Sequence, residues 1–161
     1  MTRKKFIVAL ASILSSVACG AQSSESYLGA GAGYSFMNSK TTELFIEKKL
    51  GNKDIAGLSA SVYFYSPYVK LDLKAHTPYY FGGIFYKRII YTSRNFGHHF
   101  MLGVDAGWKR KQFLYYPNIG LEQEFYLSTN TKFFFAEEVN YVPAFDHKWQ
   151  PLLKTGLKLR L

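Results

Sequence analysis

Four histidines, His76, His98, His99 and His147, are the residues on which acid–base or metal chemistry would have to be built in this chain. A lipid-modifying hydrolase needs a serine activated by a nearby histidine. None of the four has a serine two residues away, where it would share a strand face. His98 and His99 are adjacent, so in a strand they point to opposite faces; they are expected at a solvated interface beside the Asn95–Gly97 turn, not at a metal. No phosphate-binding loop, metal-spaced Cys/His set, repeat or low-complexity segment occurs. The sequence therefore nominates no catalytic, cofactor-binding or metal-binding residue, and no cofactor.

Charge gives a stronger signal. Lys70, Lys74, Arg88, Lys109, Lys154, Lys158 and Arg160 fall on one set of alternating positions, together with Asp72, Asp105, Glu122, Glu124 and Glu138. Buried charges persist when they are paired and hydrogen-bonded, so mixed signs on one enclosed face predict a salt-bridge network. A ligand site made from the surplus of base is the alternative. The formal net charge is +9. Direct nucleic-acid binding is not predicted, because the lysines alternate with strand-face residues and form no patch with base-stacking aromatics.

Those charges need elements to position them. The chain closes on Leu153, Thr155, Leu157, Leu159 and Leu161, interleaved with Lys154, Gly156, Lys158 and Arg160. A period of two sends one row to each side of a sheet. At the other end, Arg3, Lys4 and Lys5 precede the apolar run Phe6–Leu14, too short to span a bilayer as a helix, with small residues following at Ser15, Ser16, Ala18, Gly20 and Ala21. This pattern predicts a signal peptide over 1–21 and export of residues 22–161. A lipoprotein reading would make Cys19 the lipidated residue, but Ser16 stands where such signals carry leucine. Cys19 is the sole cysteine, so no disulfide supports the fold. Loss of the three leader bases leaves the mature chain at +6.

Aromatic residues make up 18% of the chain and concentrate in short alternating runs. Leu28, Ala30, Ala32, Tyr34 and Phe36 oppose three glycines; Leu44 and Ile46 are in phase until Lys48; Leu58, Ala60, Val62 and Phe64 oppose Ser59, Ser61, Tyr63 and Tyr65. Val69 to Tyr91 reads as one long bent strand across Pro78, with Tyr79, Phe81, Gly83, Phe85, Ile89 and Tyr91 as its apolar, outward row and Lys87 reaching from that row toward an interface. Phe100, Leu102, Val104, Ala106 and Trp108 are expected outside, as are Ile119, Leu121, Phe125 and Leu127. Phe133, Phe135, Val139 and Tyr141 share their row with Glu137, whose carboxylate a bulge near Ala136 would turn inward. With the leucine strand these make eight, an even number that places both chain termini on one side.

The expectation is an all-β fold: an eight-stranded antiparallel up-and-down transmembrane β-barrel preceded by a signal peptide, lying in the bacterial outer membrane against its lipid. Side chains just fill so narrow an interior, so it is expected plugged. Alternation alone does not name the apolar neighbour, and a soluble β-sandwich is the competing fold.

The second half resembles the conjugative-transposon TraO family. The similarity rests on Tyr79-Tyr80-Phe81-Gly82-Gly83, on Phe100-Met101-Leu102-Gly103 with Gly107-Trp108, on Gly120-Leu121-Glu122-Gln123-Glu124-Phe125-Tyr126-Leu127 and on Thr155-Gly156-Leu157-Lys158. The resemblance implies a role in conjugation, alongside other conjugation-apparatus proteins, and transfers no catalytic residue. A general adhesin or membrane-stabilising barrel is the alternative, with a lipid A-modifying enzyme behind it.

Overall fold

Short-period alternation, with few helix signals, produces strands throughout the computed structural model, which describes residues 25–37, 39–65, 78–109, 112–143, 145 and 147–161. The expected leader 1–21, Cys19, and Lys70, Asp72, Lys74 and His76 lie outside the described residues. The strands are β1 (Ser26–Ser35), β2 (Ser39–Lys49), β3 (Asp54–Tyr65), β4 (Tyr79–Thr92), β5 (Phe96–Lys109), β6 (Gln112–Tyr126), β7 (Thr131–Tyr141) and β8 (Trp149–Arg160). Each pairs antiparallel with the next, and β8 pairs with β1, so the sheet closes and leaves no open edge. Leu161 N–H donates to the Ser26 carbonyl at 3.0 Å, which holds the start of β1 and the end of β8 together on one rim. The turns at residues 50–53, 93–95 and 127–130 lie on that same rim, the periplasmic one in the orientation of bacterial single-chain barrels.

The outward rows of β1, β3, β5, β6 and β8 are those the alternation predicts. Leu28, Leu44, Leu102, Val104, Ile119, Leu121, Leu157 and Leu159 are large, apolar and exposed. Rims of aromatics border them, Tyr141 on Trp149 (4.8 Å) and Trp108 on Phe113 (5.2 Å) at one end, Phe125 on Phe96 (5.3 Å) at the other. A closed barrel with an apolar waist between aromatic rims satisfies its backbone internally and presents hydrocarbon to hydrocarbon, so it spans a membrane. A soluble sandwich, with its apolar side chains turned inward, does not fit this surface.

The structure corrects the phase of β4. Tyr79, Phe81 and Lys87 are buried in the lumen, while Ile84 and Arg88 are exposed on the outside. The odd-numbered row is therefore the inner one, and the described strand begins at Tyr79, immediately after Pro78. The reason is that the lumen at this level is itself aromatic: Tyr79 pairs with inward Tyr63, and Phe81 with inward Ser61. Arg88 accordingly leaves the proposed inner set, and its guanidinium lies 3.7 Å from Asp54 at the rim. Arg160 is likewise exposed.

The bulge expected near Ala136 is absent. The ladders on both sides of β7 run without a break, with Leu121 opposite Glu137 and Glu137 opposite Leu153, so the carboxylate stays outside. A register shift occurs instead between Ile89 and Tyr91 in the β4–β5 ladder.

Candidate functional site

The lumen is the place where chemistry-bearing side chains converge, and its construction starts with two glycines. Gly29 and Gly57 stand where a Cβ would collide with the Phe45 and Phe85 rings respectively, so their missing side chains are what lets those rings enter. Phe45 then packs edge-on against Phe85 (6.0 Å) and Phe134 (5.5 Å), forming an aromatic layer across the barrel.

On the periplasmic side of that layer lies a closed charge lattice. Lys158, wholly buried, donates to Glu47 Oε1 (2.9 Å), Glu122 Oε1 (2.7 Å) and Glu124 Oε1 (2.5 Å). Lys87, 2% exposed, donates to Glu47 Oε2 (2.7 Å) and to both oxygens of Glu122 (2.8 Å each). Lys132 completes the set through Glu124 Oε2 at 3.0 Å. Three carboxylates thus face three ammonium groups, the condition under which buried charge survives in a low-dielectric interior. The aromatic layer adds to it: Lys87 Nζ lies 4.8 Å from the Phe85 centroid, and Lys158 Nζ 5.4 Å from that of Phe134.

Beyond the layer sits a second, smaller cluster. Lys154 bridges Glu43 and Glu138 at 2.8 Å each, while Asp105 accepts from Asn118 Nδ2 (2.6 Å) and Ser59 Oγ (3.3 Å). The extracellular end is closed by Tyr63, Phe81, Tyr116, Leu114 and Leu152, and by Val142 and Phe145 from the β7–β8 connection. Phe145 stacks on Tyr65 at 4.1 Å and 10°, and a hydrogen bond from Asn140 to Tyr63 ties β7 to β3 across the lumen. A cavity of about 30 Å³ remains between the clusters, room for about one water. A pocket of about 110 Å³ opens at the periplasmic rim beside Glu47, His99, Glu124 and Lys132.

Of the charges the sequence sends inward, the structure brings together Lys154, Lys158, Asp105, Glu122, Glu124 and Glu138. Sequence reasoning missed Glu43, Glu47, Lys87, Lys132 and His99. Glu43 and Glu47 are two residues out of step with nothing: they alternate with Leu44 and Ile46, and that was their signal. His99 is buried, not at a solvated interface, with Nδ1 3.5 Å from Glu122 Oε1 and 3.9 Å from Glu124 Oε1. These three residues bring ligand-type atoms within 4.8 Å of one another. The same carboxylates already bind Lys87, Lys132 and Lys158, so a divalent cation would have to displace ammonium groups and face their charge; the donor set suits protein cations better than metal ions.

No protein-family model matches the chain, and no curated protein matches it. Solved structures do. The N-terminal β-barrel domain of Pseudomonas aeruginosa OprF superposes with a TM-score of 0.63 at 12% identity, over 86% of this chain and 98% of that one. The Yersinia pestis outer membrane protein Ail in a phospholipid bilayer nanodisc gives 0.57 at 12% identity, over 86% and 99%. A de novo designed transmembrane β-barrel gives 0.62 at 7% identity, over 86% and 96%. At such identities the likeness is one of fold: this chain is an eight-stranded barrel of the outer-membrane type, in contact with membrane lipid, and the conjugative-transposon resemblance gains no support from these matches.

Proposed function

We propose that the protein is a non-enzymatic, closed barrel of the bacterial outer membrane that serves as a component of a conjugative transfer apparatus. The observation that carries the non-enzymatic part is the lumen itself. Its charges are spent on one another, with Lys158 holding three carboxylates, and buried His99 faces Glu122 and Glu124 instead of a serine. Side chains committed to mutual pairing are poor nucleophiles and bases.

The transfer role is supported by the sequence resemblance alone, whose motifs now have positions. Tyr79–Gly83 opens β4, Phe100–Gly103 lies on β5 and Gly120–Tyr126 carries Glu122 and Glu124 into the lattice. In this reading the barrel is a rigid membrane fixture for other apparatus proteins. Deleting the gene from a donor strain and measuring conjugal transfer frequency tests it: a loss restored by the intact gene is expected, and unchanged transfer overturns the role. A membrane-stabilising barrel is the second reading, favoured by the same filled lumen; it predicts detergent sensitivity of the deletion strain with transfer intact.

A further inference from the structure

Three bases meet at one corner of the periplasmic rim, on the outside of the barrel. Lys48 ends the outward row of β2, Lys53 lies in the turn to β3, and Arg88 stands on the outward row of β4. The ladders make them neighbours: Lys48 is opposite Ala56, Ala56 is opposite Tyr86, and Arg88 is opposite Asp54, the first residue of β3. Lys48 and Lys53 make no hydrogen bond or ion pair among the described residues. Arg88, with a side chain 61% exposed, approaches Asp54 only to 3.7 Å, too far for a hydrogen bond. That carboxylate already accepts from the Tyr86 hydroxyl at 2.5 Å. Three bases against one acid leave this corner positive, whereas the β6–β7 turn on the same rim, residues 127–130, carries no charged residue.

Toward the waist the same face turns apolar. Leu58, Ile84 and Val104 form the next level, side by side across three strands, and Ile84 is 65% exposed. Between Lys48 and Tyr86, Ala56 offers only a methyl group; at about 4.8 Å per strand the two flank a notch roughly 10 Å across. A groove of about 770 Å³ in the outer wall joins these levels, with Lys48, Ala56, Tyr86, Leu58 and Ile84 in its lining. That volume lies in the range of ligand sites. Bases at the rim and hydrocarbon above them repeat the order of groups in a membrane lipid. Lysine and arginine lay their stems along apolar surface and hold their charge at headgroup level, and the arginine fork matches phosphate oxygens. Tyrosine suits the same depth.

We infer that this corner of the β2–β4 face is a binding site for an anionic glycerophospholipid of the periplasmic leaflet, its phosphate held by Lys48, Lys53 and Arg88 and an acyl chain laid over Leu58 and Ile84. The surplus of base sets the preference, because a zwitterionic lipid brings an ammonium group of its own, which these residues repel. The inference goes beyond the proposed role and does not depend on it.

Native mass spectrometry of the protein purified from outer membranes into detergent, titrated with phosphatidylglycerol or phosphatidylethanolamine, tests it. One phosphatidylglycerol should be held about tenfold more tightly than phosphatidylethanolamine. Lys48→Gln combined with Arg88→Gln should abolish that preference. Lys40→Gln combined with Lys148→Gln removes the same charge at the opposite rim and should leave it intact. Ala56→Trp keeps every base but fills the notch, so it should weaken phosphatidylglycerol binding by about tenfold. Folding is checked in the same samples by the heat-modifiable mobility of intact barrels, which these outward substitutions should not change. Equal binding of the two lipids, a preference that survives Lys48→Gln with Arg88→Gln, one lost equally in Lys40→Gln with Lys148→Gln, or phosphatidylglycerol binding untouched by Ala56→Trp would overturn the inference.

Discussion

The two halves of the lumen fill the same cylinder with opposite chemistry. Toward the periplasm, Glu47, Glu122 and Glu124 interlock with Lys87, Lys132 and Lys158. Toward the outside, Tyr63, Phe81, Tyr116 and Phe145 meet edge to face. The difference lies in how each half responds to loss. A removed ring leaves a hole, which neighbours partly refill; a removed ammonium leaves carboxylates that still demand a cation in a dry interior. The halves also differ in what they are made from. The charged half uses strand residues alone, whereas the aromatic half borrows Val142 and Phe145 from a connection between strands.

The sharpest test of that contrast is Lys158→Met, which keeps the volume and leaves three buried carboxylates facing two ammonium groups, those of Lys87 and Lys132. It should lower stability by about 3 to 5 kcal/mol, measured by urea unfolding of the barrel refolded into lipid vesicles. Phe81→Ala in the aromatic half should cost about 3 kcal/mol, and a loss equal to or larger than that of Lys158→Met would erase the distinction. Phe145→Ala should cost less, about 2 kcal/mol, because the connection can settle into the space. It should also raise proton exchange of the Tyr65 and Tyr79 amides while leaving those around Lys158 protected. If exchange rises equally in both halves, they are one cooperative unit.

The smallest effect is expected at the periplasmic rim, where charge pairing occurs in water instead of in the lumen. A hydrogen bond from Lys49 at 2.9 Å holds the Glu25 carboxyl below the ordinary glutamate range, with slight burial working against it. Because the folded value is the lower one, this pair contributes above the ordinary glutamate range and its contribution is lost as pH falls through the folded value. Both side chains are well exposed, so screening keeps it small. Lys49→Ala should move the Glu25 titration upward in a carboxyl-carbon NMR experiment; an unmoved titration would mean that the rim pair does not form.

Most of the outer surface was legible in the sequence, because rows such as Leu102–Val104 and Leu157–Leu159 have only small or polar residues between them. β4 was misread for a specific reason. Both of its rows are apolar, Tyr79, Phe81 and Phe85 against Tyr80, Ile84 and Tyr86, so hydrophobicity cannot choose between them. Lys87 could have chosen: a mid-strand lysine in a membrane barrel belongs inside, and its phase carries Phe81 with it. Glu137 was recognised as a violation, but the bulge invoked to remove it does not exist.

What the sequence by itself determined is the alternation, the strand number and the lipid-facing band, all local consequences of a pleat that turns successive side chains to opposite faces. Which charges meet was decided only by closure. Lys158 pairs in the ladders with Lys132 and Gly29, yet its carboxylate partners stand on β2 and β6, across the lumen. No spacing along the chain encodes those distances, because they arise from the stagger with which eight strands wrap into one cylinder and from the narrow diameter that stagger imposes.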